Sequence, residues 1–144
     1  MKRELKVRPP ALLVAAVAVF LAAAACGGGE KETTVSVSLS EWSVSPSVSS
    51  VKAGKVTFAA SNAGTVDHEL VVIKTDRAPD ALVVKAAESK VDEAASGSLT
   101  GKIDAFGPGK TGSKQFQLDK GKYVLFCNVA AHYTTGMRAA FTVQ

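Results

Sequence analysis

The chain has 144 residues, of which 47% are hydrophobic and 21% charged, so it suits one folded domain and is too apolar to be disordered. Its formal charge of +4 is concentrated at the N-terminus, because thirteen basic residues face twelve acidic ones from residue 26 onward. A broad basic surface for nucleic acid is therefore not indicated. Two cysteines are too few for a disulfide framework.

The first 25 residues predict a targeting segment. A basic stretch, MKRELKVRPP, precedes fifteen apolar residues from Ala11 to Ala25, fewer than the about 20 that usually span a bilayer. The run ends in Ala23-Ala24-Ala25 directly before Cys26, which resembles a bacterial lipoprotein signal, although Ala23 stands where such signals usually have Leu. A plain cleaved signal and a short anchor helix are the alternatives.

We therefore predict a signal peptide at residues 1–25, a lipid on Cys26, a flexible tether at residues 26–34 and a folded domain at residues 35–144. The protein is then lipid-anchored to the cell membrane and faces the periplasm or the extracellular side. With Cys26 acylated, Cys127 is the one remaining thiol and has no disulfide partner.

The pattern after the tether predicts an all-β domain. Val35, Val37 and Leu39 alternate with serines in a first strand, and the change of parity at Trp42 predicts a bulge near Glu41. Further strands are predicted at 56–60, 68–74, 99–106, 114–118, 123–127 and 139–143. About seven or eight strands with turn signals between them favour an antiparallel sandwich or barrel.

Residues 76–98 do not follow this pattern. They mix charged residues with apolar ones and contain Pro79 near their start. Two interpretations stay open: a short helix at Ala81–Lys90, or an irregular excursion lying on one face of the sheet.

Four scarce side chains carry the chemistry. Cys127, His132 and Met137 lie on one predicted loop with the spacings Cys-x4-His and His-x4-Met, and His68, the other histidine, begins a strand. Singly, a buried Cys or Met is ordinarily a core residue. Together, two imidazoles, a thiolate and a thioether form the ligand set of a blue-copper site. The sequence therefore predicts one copper ion bound by these four residues.

At these residues the sequence resembles the cupredoxins, the small type 1 copper proteins, and most closely their sulfocyanin-like or rusticyanin-like branch. The resemblance covers residues 35–144 and rests on three segments: Asn62-Ala63-Gly64 before His68, Gly121–Cys127, and Gly136-Met137. It implies a Greek-key β-sandwich, equatorial ligands at His68, Cys127 and His132, and an axial ligand at Met137. Ala131 is a departure, since close relatives often have Gly directly before the loop histidine.

The resemblance implies electron transfer, so we expect a monomer that is not an enzyme and exchanges single electrons with redox protein partners. Partners are expected near His132, against a small apolar face of Ala130, Ala131 and Tyr133. Alternatives are a lipoprotein that stores copper or delivers it to a membrane enzyme, and an immunoglobulin-like lipoprotein without metal. A single cysteine in the loop excludes the binuclear copper centre that is bridged by two cysteines.

Two further residues, Glu69 and Trp42, are considered outside the ligand set. Glu69 follows a predicted ligand, and it is either a surface carboxylate or a group that hydrogen-bonds to the ligand loop and holds the two ligand segments together. Trp42 is expected to be a core or edge residue rather than a redox relay.

Overall fold

The computed structural model describes residues 32–144. The predicted signal peptide, Cys26 and residues 27–31 of the predicted tether lie outside these described residues, so those predictions stay predictions. The next residues are already structured: β1 spans Thr33–Ser40, which begins two residues before the predicted domain boundary.

Two β-sheets pack face to face. The first sheet contains, in spatial order, β2 (Ser43–Pro46), β1, β4 (Gly54–Asn62) and β9 (Thr111–Leu118). The second contains β3 (Ser50–Val51), β11 (Arg138–Val143), β10 (Gly121–Phe126), β5 (His68–Lys74) and β8 (Ser98–Phe106). The predicted all-β sandwich is confirmed.

The strand pairing is mixed rather than wholly antiparallel. β1 pairs with β4 in parallel, with Val35 opposite Phe58, and β11 pairs in parallel with the short β3. The remaining pairs of both sheets are antiparallel. Alternation along a single strand reports burial and not the direction of the neighbour, so the sequence pattern did not predict these two parallel pairs.

The predicted bulge near Glu41 is wrong. The chain reverses there, and β1 and β2 form an antiparallel hairpin in which Leu39 faces Val44 and Ser40 faces Ser43. Glu41 and Trp42 lie in the turn. The burial parity changes because the chain turns back, not because one strand gains an extra residue.

Two hydrophobic clusters lie on opposite faces of the second sheet. Residues between the sheets form the first cluster, here called the inner core; it includes Val35, Phe58, Leu70, Leu125, Phe141, Cys127 and Met137. The second, here called the outer cluster, consists of Val71, Ile73, Leu82, Val91, Val124, Phe126 and Tyr133. Because β5 is buried on both faces, it reads as one continuous apolar run, and its predicted bounds are confirmed.

The outer cluster is covered by residues 76–97, here called the strap. The strap contains the short pair β6 (Val84–Lys85) and β7 (Lys90–Val91) and the four-residue helix α1 (Glu93–Ser96). The predicted alternative of an irregular excursion on one sheet face is therefore confirmed, and the helix at Ala81–Lys90 is not formed. The other helix of the described residues is α2 (His132–Thr135). Between residues 32 and 144 no helix has the length and apolar character needed to cross a membrane.

Candidate metal centre

Three predicted ligands meet at one end of the sandwich. His68 starts β5, Cys127 directly follows β10, and His132 starts α2 in the loop that leads to β11. Their nearest ligand atoms lie within 4.8 Å of one another, and all three residues are buried. The two Nδ1 atoms are 3.2 Å apart, and Cys127 Sγ lies 3.4 Å from Nδ1 of His132 and 4.0 Å from Nδ1 of His68.

The orientation of the His68 ring is set from its far side. Nε2 of His68 lies 3.1 Å from Oε1 of Glu41, a carboxylate that accepts hydrogen bonds. Nε2 therefore carries the proton, and Nδ1 presents its lone pair to His132 and Cys127. Lone pairs converging from two imidazoles and a thiolate suit one soft or borderline cation, so the donor set fits copper.

Two backbone N–H groups hydrogen-bond to the Cys127 sulfur. The N–H of Glu69 donates to Sγ at 3.4 Å, and the N–H of Val129 also hydrogen-bonds to it. Burial raises the pKa of the Cys127 thiol, and these two donors oppose that rise. A cation at the site therefore has to displace the thiol proton, and the two N–H groups stabilise the resulting thiolate.

The buried His132 ring is covered by Trp42, which lies at the surface. Burial lowers the pKa of His132, and the neighbouring His68 lowers it further. The Trp42 ring makes an edge contact with the His132 ring at a centroid distance of 5.2 Å, and Trp42 itself is 48% exposed while His132 is 8% exposed. Trp42 is thus a surface residue in contact with a ligand.

Met137 is linked to the other loop ligands through the backbone. The Cys127 N–H donates to the Met137 carbonyl, and the Met137 N–H donates to the His132 carbonyl, both at 3.1 Å. The Met137 side chain is fully buried in the inner core, which also contains Cys127. The structure thus joins all three loop residues that the spacing singled out.

The tight ligand loop requires an unusual backbone at Ala131. This residue has φ +67°, in the left-handed region, and its carbonyl accepts hydrogen bonds from the hydroxyls of Thr134 and Thr135. The left-handed conformation is costly for a residue with a Cβ, so glycine would adopt it more easily than Ala131 does.

The residues that follow the three buried ligands make contacts on the outer side of the sheet. Asn128 exchanges two hydrogen bonds with the backbone of Val91 and donates to the Glu93 carboxylate. The Tyr133 hydroxyl donates to the Pro79 carbonyl and accepts from the Leu82 N–H. The strap therefore holds the ligand loop in place through the side chains of Asn128 and Tyr133.

Glu69 also contacts the ligand loop. Its backbone N–H donates to Cys127 Sγ. Burial raises the pKa of the Glu69 carboxyl, and Lys102 and the Asn128 N–H act in the opposite direction. The backbone N–H of Glu69 thus hydrogen-bonds to the ligand loop, and the predicted role of its carboxylate in holding the two ligand segments together stays a prediction.

Comparison with known proteins decides the family. The model of the copper binding proteins, plastocyanin/azurin family, matches residues 30–144. The chain belongs to this family. The resemblance to cupredoxins is thereby confirmed, the cofactor is copper, and His68, Cys127, His132 and Met137 form the type 1 site of this family member.

Solved structures of copper proteins share its fold. A reduced auracyanin from Roseiflexus castenholzii is 21% identical, with a TM-score of 0.55, covering 81% of this chain and 99% of that chain. Auracyanin A, described as a "blue" copper protein from Chloroflexus aurantiacus, is 17% identical, with a TM-score of 0.53 and coverages of 78% and 99%. Reduced rusticyanin is 16% identical, with a TM-score of 0.55 and 81% coverage of each chain. A comparison with curated protein sequences gives no match.

The surroundings of this copper site include residues that sequence reasoning missed. Glu41 and Asn128 gave no signal, because each contacts a partner 27 or more residues away in the chain. The predicted apolar face at His132 is partly wrong: Ala130 and Ala131 are exposed, but Tyr133 is buried in the outer cluster. Trp42 lies against His132 instead.

Proposed function

We propose that this family member carries single electrons between redox protein partners while a lipid on Cys26 holds it at the outer face of the cytoplasmic membrane. The observation that supports it best is the convergence of three buried donor atoms within 4.8 Å of one another. Copper bound at these residues supplies a one-electron couple. Proteins of this family are electron carriers rather than enzymes, which agrees with the proposal.

The chain's own contribution is to keep the donors in one arrangement. His68 and Cys127 are held by a sheet that is buried on both faces, and Asn128 and Tyr133 attach the loop to the strap. Ligands that hardly move between oxidation states keep the reorganisation energy small, which favours fast electron transfer. Full burial of His68, Cys127 and Met137 also keeps water away from three of the four ligands.

The partners are proposed to approach where a ligand lies nearest to solvent. His132 is 8% exposed, whereas the other three ligands are not exposed at all. Trp42 widens this region with an exposed apolar ring. Weak electron-transfer encounters use small interfaces, and this region is small enough for rapid release.

The proposal is tested with the fragment of residues 30–144, which contains every described residue. After loading with copper we expect one ion per chain, a strong visible Cu(II)–thiolate absorption band, a type 1 electron paramagnetic resonance spectrum and a reversible one-electron potential. A colourless protein that holds air-stable Cu(I) would instead identify a copper carrier. No copper, or more than one tightly bound ion, would refute the site.

The location is tested separately. Cys26→Ser in the full-length chain is expected to release the protein from the membrane fraction and to leave the visible band unchanged, because Cys26 is assigned only the lipid. Retention of the variant in membranes would show that the apolar run is an uncleaved anchor. Loss of copper would contradict the assignment of the two cysteines.

A further inference from the structure

One carboxylate outside the ligand set is built into the copper site. Glu41 lies in the turn of the β1–β2 hairpin, and its Oε1 accepts hydrogen bonds from the N–H groups of Thr65 and Val66 at 2.8 and 3.1 Å. The same oxygen is 3.1 Å from His68 Nε2. Three donors on one oxygen favour the ionised carboxylate, and the Glu41 side chain keeps only 24% exposure.

The loop that holds Glu41 is itself fixed. Asn62 donates from its side chain to the carbonyls of Val66 and Phe106 and accepts from the Gly64 N–H. A Cβ at residue 64 would collide with the Glu41 carboxyl oxygens, so glycine is needed there for the carboxylate to fit. These contacts place the carboxylate at a fixed position behind a ligand, which is more than a surface charge requires.

We propose that Glu41 positions His68 and supplies a fixed negative charge that favours Cu(II) over Cu(I). This inference rests on the proposed electron-transfer function and adds a determinant of the reduction potential. A carboxylate that accepts a hydrogen bond from a ligand imidazole makes the ligand a stronger donor. It also attracts the more highly charged oxidation state, since the interaction energy grows with the product of the charges.

The competing role for Glu41 is purely structural, as an anchor for residues 64–66. Glu41→Gln separates the two roles, because an amide oxygen still accepts hydrogen bonds while the negative charge is removed. Glu32→Gln is the matched control. Glu32 lies directly before β1, Glu41 lies directly after it, and Glu32 Oε1 accepts hydrogen bonds from the side chains of Thr57 and Gln115. Nine residues of extended chain put the two carboxylates about 30 Å apart.

The first experiment is potentiometry on the full-length chain loaded with copper. For Glu41→Gln we expect the Cu(II)/Cu(I) equilibrium to shift about tenfold toward Cu(I), a rise in potential of about 59 mV for one electron. The visible band should remain, and Glu32→Gln should keep the potential of the parent. An unchanged or lower potential in a blue Glu41→Gln protein, or an equal rise in Glu32→Gln, would overturn the role of the charge.

A second experiment needs no copper. In the metal-free full-length chain, nitrogen-15 NMR should show His68 protonated at Nε2, with a slowly exchanging ring N–H that is lost in Glu41→Ala. A His68 ring protonated at Nδ1 in the parent, or a ring N–H unaffected in Glu41→Ala, would overturn the positioning role. The two experiments also distinguish a failure of the proposed function from a failure of the role proposed for Glu41. A parent chain without a reversible one-electron couple refutes the electron-transfer function, while the NMR result still decides whether Glu41 orients His68.

Discussion

The inner and outer faces of the second sheet contribute differently to the copper site. On the inner face, Cys127 and Met137 belong to the same cluster as the residues that hold the two sheets together. On the outer face, Tyr133 and Asn128 attach the ligand loop to the strap. Because successive residues of an extended chain point to opposite faces, Cys127 and Asn128, which follow β10, serve the two sides. The inner face thus supplies donors, and the outer face fixes their positions.

The largest expected effect comes from removing an inner-face donor. Cys127→Ser should abolish the visible absorption band completely, because the charge transfer that produces it originates at the thiolate sulfur. The folded domain should persist, which circular dichroism can check, since serine is close in size to cysteine. A variant that keeps its colour would show that a different group supplies the sulfur ligand.

An outer-face change should alter stability and copper retention but not colour. Tyr133→Phe leaves the buried Leu82 N–H without its acceptor, which should cost about 1–3 kcal/mol of unfolding free energy in denaturant titrations. The loosened loop should also lose copper faster to a chelator, while the visible band stays in place.

The matched control for Tyr133→Phe is Tyr123→Phe. Tyr123 is also buried, and its hydroxyl donates to the Asp119 carbonyl in the turn before β10, whereas the ligand loop follows that strand. This control should lose stability without changing the rate of copper loss. Equal acceleration in both variants would mean that the strap has no special part in holding the loop.

Met137 tests how much an inner-face residue tunes the site without holding the metal. Met137→Leu removes a donor and adds apolar shielding, which disfavours Cu(II), so the potential should rise. Met137→Gln supplies a harder oxygen donor and should lower it. We expect about a tenfold change in the Cu(II)/Cu(I) equilibrium in each direction, or about 59 mV, measured by potentiometry.

Both Met137 variants should still bind copper through the other three ligands. The expected order of potentials is Leu above Met above Gln. Potentials that do not change in either variant would assign Met137 to the inner core alone and leave the axial position to another group.

The smallest expected effect is a gain in stability. Ala131 has φ +67° and an N–H that donates to the Ser89 carbonyl of the strap. Ala131→Gly relieves the strain of the left-handed conformation but increases the entropy of the unfolded chain, so the net gain should be at most about 1 kcal/mol. Thermal unfolding of the metal-free fragment measures it, and a loss of stability would contradict the strain argument.

The sequence was informative where a pattern is local. Alternation predicted β1, a continuous β-branched run predicted β5, and the spacing of Cys127, His132 and Met137 predicted one site. In the strap, Leu82 and Val91 are apolar residues whose partners, such as Phe126, lie far along the chain, so no periodicity marks them. Strands of two residues such as β6 are too short to show alternation.

The site contacts made by the turn of the β1–β2 hairpin could not be predicted from the sequence either. Glu41 and Trp42 contact the two ligand histidines, yet they precede His68 by more than twenty residues and His132 by ninety or more. Only the folded arrangement of β1, β2 and the loop at residues 62–66 brings them there. Contacts of this kind depend on tertiary packing, and a single sequence contains no signal for them.

Trp42 gives the protein an internal optical reporter. It is the one tryptophan in the sequence, and its ring lies in edge contact with a copper ligand. Bound Cu(II) at that distance should quench its emission by energy or electron transfer, whereas reduction to Cu(I) should restore much of the intensity. Because the ring is already 48% exposed, unfolding should shift its emission wavelength little. Emission intensity therefore follows the oxidation state of the metal without any added label.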